Sequence, residues 1–87
     1  MAVTWGDFSV KPGATYEYVQ LADWIEKQIK AGNLRPGDRL PAQRELGELV
    51  GHSAELAGKA MALLRERGMV ETSGRGSFVV GPQADEG

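Results

Sequence analysis

Apolar residues recur along this chain in two rhythms, separated by clusters of glycine and proline, and those rhythms set out its elements. Tyr18, Leu21, Ala22, Ile25 and Ile29 fall on one side of a 3.6-residue period. They predict a first helix over residues 15–31, with Thr15 as its N-cap and Gly32 as its left-handed stop. Trp24 lies off that stripe. After the turn pair Pro36-Gly37, Arg39-Leu40 leaves room for only a very short strand before Pro41, whose missing N–H costs nothing at a helix start. A second helix is expected over residues 42–50, burying Leu46, Leu49 and Val50 and ending at Gly51-His52. Ser53 then caps a third helix that buries Ala57, Ala60, Met61 and Leu64, turns Ala54, Glu55, Gly58, Lys59 and Ala62 outward, and stops at Gly68. Glu55 in its first turn suits the positive end of the helix dipole. The period changes after that glycine. Residues 69–72 and 77–80 are rich in β-formers, and Ser73-Gly74-Arg75-Gly76 between them predicts a hairpin with a glycine-rich tip.

Three helices followed by a small antiparallel β-hairpin make an α+β domain of the winged helix-turn-helix kind, expected over residues 15–81. Residues 1–14 have no helical period and read as an extended arm, but Trp5 and Phe8 within it need a surface to cover, either on the same domain or on a second subunit. Residues 82–87 are polar and acidic and read as a disordered tail. A domain of 87 residues buries only about 60% of its unfolded surface, so a second subunit would add useful stability.

Composition narrows the chemistry. There are no cysteines and one histidine, His52, which leaves no disulfide, no thiolate and no partners for a metal site, so neither metal nor cofactor is expected. Catalytic sets of Ser/His/Asp or Cys/His type and phosphate-cradling loops are missing too, and the chain does not read as an enzyme. No apolar run approaches the roughly 20 residues that span a bilayer, and the start lacks a signal-peptide pattern, so a cytoplasmic protein without membrane contact is expected. The net charge of −2 is unusual for a nucleic-acid binder. Its distribution is uneven: residues 35–75 hold seven basic side chains against six acidic, the remainder three against six. Any attraction to phosphate must come from a local patch.

The run Pro36-Gly37-Asp38-Arg39-Leu40-Pro41-Ala42-Gln43-Arg44-Glu45-Leu46, with Tyr18-Val19-Gln20-Leu21-Ala22 before it and Gly74-Arg75-Gly76-Ser77-Phe78-Val79 after it, resembles the DNA-binding domain of the GntR family of bacterial transcription regulators. The resemblance covers about residues 18–80. It implies double-stranded DNA as the partner, the third helix in the major groove, and the hairpin wing in the minor groove. It also implies a homodimer on a two-fold operator. Carried over, Arg44 and Ser53 are expected at phosphates and Gly74, Arg75 and Gly76 in a narrow, electronegative minor groove; the residues themselves add Lys59 and Glu55 as candidates for base edges.

The third helix departs from that pattern. Ala54 and Gly58 stand where the family usually has arginines, and Glu55 where it often has Thr or Pro. Arginine is the commonest bidentate reader of guanine, worth about 1 to 3 kcal/mol per good pair, so weaker and differently specified binding is expected. Glu55 can accept from a cytosine amino group instead. Plainer roles compete at several positions: Arg44 can pair with Glu48, Lys59 with Glu55, Arg75 can be a solvated turn residue, and Arg65 and Arg67 can simply complement the end of the third helix.

Two functions follow. One is a small stand-alone DNA-binding transcription regulator with no small-molecule effector domain, dimerised through Trp5, Phe8 and Trp24. The other is a winged-helix protein-interaction module with reduced or lost DNA binding, in which a smooth Ala54/Gly58/Ala62 surface receives a protein partner.

Overall fold

Helix α1 (Glu17–Lys30) forms on the predicted stripe, with Leu21, Ala22, Ile25 and Ile29 buried. Its start differs from expectation. Tyr16, not Thr15, is the N-cap and makes no side-chain cap bond; instead the Tyr16 carbonyl accepts from the Val19 and Gln20 N–H groups, both at 3.1 Å. Thr15 contributes its own carbonyl, which accepts from Gln20 Nε2 at 3.0 Å. The same carboxamide exchanges two hydrogen bonds with the Lys11 backbone at 2.9 and 3.0 Å, so Gln20 ties the incoming chain to the helix. Gly32, at φ 86°, is the left-handed stop.

The computed structural model of the chain describes residues 3–13 and 15–80, and the expected tail at 82–87 lies outside them. After α1 come α2 (Gln43–Leu49), α3 (Ala54–Glu66), and the strands β1 (Val70–Ser73) and β2 (Gly76–Val79). This is the expected α+β architecture: three helices and a two-stranded antiparallel sheet. In α2, Leu46 and the following Val50 are buried, but Leu49 is 41% exposed where burial was expected. At about 100° per residue, a two-turn helix whose buried side is defined by Leu46, Gly47 and Val50 leaves Leu49 on its outer flank. Gly47 is there for closeness. A Cβ at that position would stand 2.7 Å from the carbonyl of Ser53 and 2.9 Å from the amide of Ala54, so only glycine lets α2 and the turn into α3 approach this far.

Ser53 Oγ accepts from the Leu56 N–H at 3.1 Å, the expected cap, and Ala57, Ala60, Met61 and Leu64 are the buried stripe of α3. The strands pair from Val70 with Val79 to Ser73 with Gly76, leaving Gly74 and Arg75 alone at the tip, a turn shorter than the four residues expected. Asp38 to Leu40 runs along the other edge of β2 through Leu40 N–H to Ser77 O at 2.8 Å and Val79 N–H to Asp38 O at 2.9 Å. That pairing amounts to one bridge, between Arg39 and Phe78, because Pro41 has no N–H to continue it.

The arm is not merely extended. Trp5–Asp7 forms one 3₁₀ turn, and Phe8, only 6% exposed, enters the core of its own chain. Trp5 and Phe8 both pack on Trp24 with ring centroids 5.8 Å apart, and Phe8 meets His52 edge-on at the same distance.

Candidate nucleic-acid interface

The exposed side of α3, the first turn of α2 and the hairpin tip carry the residues that the sequence singled out. Ser53, Ala54, Glu55, Gly58 and Lys59 are on α3 or at its cap, Arg44 is exposed on α2, and Gly74, Arg75 and Gly76 form the exposed turn and its return. Lys59 Nζ lies 3.8 Å from Glu55 Oε2, with both side chains largely in solvent, a loose pair that is worth little. Arg44 makes no ion pair with Glu48. Among the described residues, no carboxylate comes within 4.0 Å of the guanidinium of Arg39, Arg44, Arg65 or Arg75.

Arg65 and Arg67, alike in the sequence, part company. Arg67 Nη1 lies 2.9 Å from Asp23 Oδ1 and 2.8 Å from Glu26 Oε1, joining the end of α3 to α1, and Lys30 adds a second cation to Glu26 at 3.0 Å. The hydrogen bond that the guanidinium donates to Asp23 raises the Arg67 pKa above its ordinary value; hydrogen bonding and attraction from Lys30, then Arg67, hold the Glu26 carboxyl below the usual range. Arg65 instead donates from Nη1 to Thr72 Oγ1 on the hairpin at 3.1 Å. Part of the acidic charge is thus neutralised on the α1 side, while four guanidiniums on α2, α3, the hairpin and its bridging edge keep their charge.

Gly58 is not an open position. The Gln43 side chain is seated over it so closely that a Cβ there would stand 2.6 to 2.8 Å from the carboxamide. The smooth Ala54/Gly58/Ala62 surface expected from the sequence is therefore interrupted by a polar group. Gln43 has no side-chain hydrogen bond or ion pair among the described residues, which leaves two donors and an acceptor available beside the exposed face of α3. The sequence reading overlooked it, although a glycine inside a helix, at a cost of about 1 kcal/mol, signalled that something needed the space. Arg39 was overlooked as well: its Nε lies 3.0 Å from where a Gly76 Cβ would be.

At the other end of α3, Tyr16 and Tyr18 stack with centroids 6.0 Å apart and a 15° tilt, beside a groove of about 610 Å³ shared with Ser53, Glu55 and Lys59. Tyr18, expected in the core stripe, is only half-buried. Trp5, Phe8 and Trp24, expected at a dimer contact, cluster within one chain; Trp5 and Trp24 keep some exposed surface and Phe8 almost none.

A tight helix-turn-helix followed by a hairpin, with unpaired guanidiniums spread over both, defines a winged helix-turn-helix domain of the DNA-binding class. Residues 17–80 match the family described as bacterial regulatory proteins, gntR family, and the chain belongs to that family. The uncharacterised HTH-type transcriptional regulator YdcR of Escherichia coli (strain K12) is 37% identical over 68 residues, 78% of this chain and 14% of that protein. The structure of YtrA from Sulfolobus acidocaldarius, a GntR-family transcription factor, is 36% identical with a TM-score of 0.73, covering 77% of this chain and 71% of that one. AraR(DBD) in complex with operator ORX1 is 27% identical with a TM-score of 0.71, covering 83% of this chain and 90% of that one. The chain spans less than a third of the length of the curated relatives it matches. It carries the helix-turn-helix domain of DNA-binding transcription regulators, not of enzymes. No helix among the described residues is long and apolar enough to cross a membrane.

Proposed function

We propose that the chain acts as a DNA-binding transcription regulator whose α3 enters the major groove while the Gly74-Arg75-Gly76 wing reaches the adjacent minor groove. The observation that carries this is that the guanidiniums of Arg39, Arg44, Arg65 and Arg75, on the helix-turn-helix and the hairpin, have no carboxylate partner among the described residues, in a chain of net charge −2. An exposed unpaired arginine gains little for the fold, but it releases a counterion on meeting a phosphate. Arg44 and Ser53 hold phosphates in this reading, and Arg75 probes the minor groove. Lys59, Glu55 and Gln43 supply the base-edge groups that Ala54 and Gly58 do not. Gln43 can pair bidentately with adenine, so the preferred site shifts away from guanine-rich half-sites.

The chain acts as a homodimer on a two-fold site, with Trp5 and Trp24 as the contact and Phe8 holding the arm in place beneath them. Its place of action is the cytoplasm, where a bacterial regulator meets DNA. The rival reading, a protein-interaction module, drew on the acidic net charge, the missing recognition-helix arginines and a smooth small-residue surface; with Gln43 seated on Gly58 it loses the third of these and keeps the first two.

The test is binding to random duplex DNA and to a selected pool at low and moderate salt, beside an Arg44→Ala plus Arg75→Ala double variant. Binding should weaken steeply with salt, and the variant should lower the slope of log K against log salt by about two. Absence of binding at low salt would sink the DNA reading and favour a protein partner, whose mostly apolar contact would respond little to salt.

A further inference from the structure

A duplex that holds a helix in its major groove and a hairpin tip in the neighbouring minor groove must run the strand separating those grooves between the two elements. Here the gap between α3 and the hairpin is a cleft of about 260 Å³, lined among others by Arg39, Gln43, Met61, Arg65, Thr72 and Ser77. Its polar groups form a connected set. Arg65 Nη1 donates to Thr72 Oγ1 at 3.1 Å, and the hydroxyls of Thr72 and Ser77 share a hydrogen bond at 3.0 Å across the two strands. With Thr72 accepting from Arg65, its own proton can pass to Ser77, which leaves the Ser77 hydroxyl free to donate outward. From the other side the Arg39 guanidinium rests against the backbone of Gly76, where a side chain would crowd it.

The cleft lining contains no carboxylate. Asp38 and Glu45 flank Arg39 in the adjoining groove, yet neither comes within 4.0 Å of its guanidinium. Two cations lining one cleft with no counter-charge between them repel each other, and hydrogen bonds to neutral hydroxyls offset that only in part. A dianionic or monoanionic oxygen cluster between them removes the repulsion.

We propose that this cleft seats one phosphate of the DNA backbone, held by Arg39 and Arg65 as charged donors and by Ser77 as the neutral one. The inference rests on the groove assignment above and adds to it a contact outside the recognition helix and the wing tip. It also gives Arg65, whose guanidinium is otherwise held only by the neutral Thr72 hydroxyl, a partner of opposite charge.

The experiment compares the full chain with Arg39→Gln, Arg65→Gln and Arg65→Lys on a duplex from the selected pool, at several salt concentrations. Each glutamine variant should weaken binding by about tenfold or more, evenly across sequences, and lower the salt slope by about one; Arg65→Lys should retain the slope. Thermal melts of the variants should match the parent, both arginines being exposed. If the parent binds DNA and both glutamine variants keep its affinity and slope, the seat is refuted while the DNA reading stands. If the parent itself does not bind, both fall together. A third arm titrates inorganic phosphate at constant ionic strength and follows the Ser77 amide by NMR. Saturation at the same cleft together with unaltered DNA binding by the variants would make it a small-anion site and overturn the proposal.

Discussion

Gly47 and Gly58 are both glycines inside helices, and nothing in their local sequence tells them apart. Their neighbours do. A methyl at Gly47 meets the backbone of the turn into α3, which cannot yield without parting two helices, whereas a methyl at Gly58 meets the free end of Gln43, which can swing away. Gly47→Ala should therefore cost about 3 kcal/mol, and Gly58→Ala should stay within about 1 kcal/mol of the parent in a urea melt, since alanine recovers helix propensity. The same pair makes a statement about specificity. Gln43→Ala should leave the melting temperature unchanged and alter the sequences enriched from a random pool, losing any preference for adenine; an unaltered pool would remove Gln43 from the reading surface.

At the level of elements, the three helices were legible because burial repeats with their period, and the stripe of α3, and that of α1 apart from the half-buried Tyr18, emerge as read from the sequence. Short elements were less so. Leu49 misled because seven residues are too few to define a stripe, and Thr15 misled because an N-cap was assigned by residue type when the chain enters the helix at Tyr16, whose carbonyl accepts the first N–H groups with no side-chain cap. The clamp of Asp23 and Glu26 on Arg67, with Lys30 also on Glu26, was not legible at all, Arg67 being brought to the α1 carboxylates by the packing of α1 on α3. It carries a pH dependence. Glu26 has a folded pKa below its unfolded value near 4.3, so its contribution is complete above about pH 4.3 and is lost as pH falls through the lower folded value. Urea midpoints of Glu26→Gln should thus lie below the parent near neutrality and converge with it in acid. The cap is simpler: Ser53→Ala should cost about 1 kcal/mol at any pH in that range.

On the scale of the whole molecule, the arm belongs to the fold before it can belong to any dimer. Phe8 joins a core built from all three helices and the hairpin, in a domain small enough that each large side chain is a sizeable share of its stability. Phe8→Ala should cost about 3 to 5 kcal/mol, close to unfolding the chain at physiological temperature, which calorimetry would show. Removing the arm outright is for that reason a poor test of dimerisation. Trp5→Ser is a better one: with Phe8 retained the domain should remain folded, and light scattering should report a monomer if the exposed remainder of Trp5 is the subunit contact.

What the sequence determined by itself is the order of the three helices and the hairpin, the buried stripe of α3 and most of that of α1, the Ser53 cap and the glycine-tipped wing, all of which depend on residues a few positions apart. Only the tertiary structure decided which arginines keep an unpaired charge, that Gln43 covers Gly58, and that Arg39, Arg65, Thr72 and Ser77 share one cleft. Those relations join residues separated by up to 38 positions along the chain, and they depend on side-chain approaches of about 3 Å that no periodicity encodes.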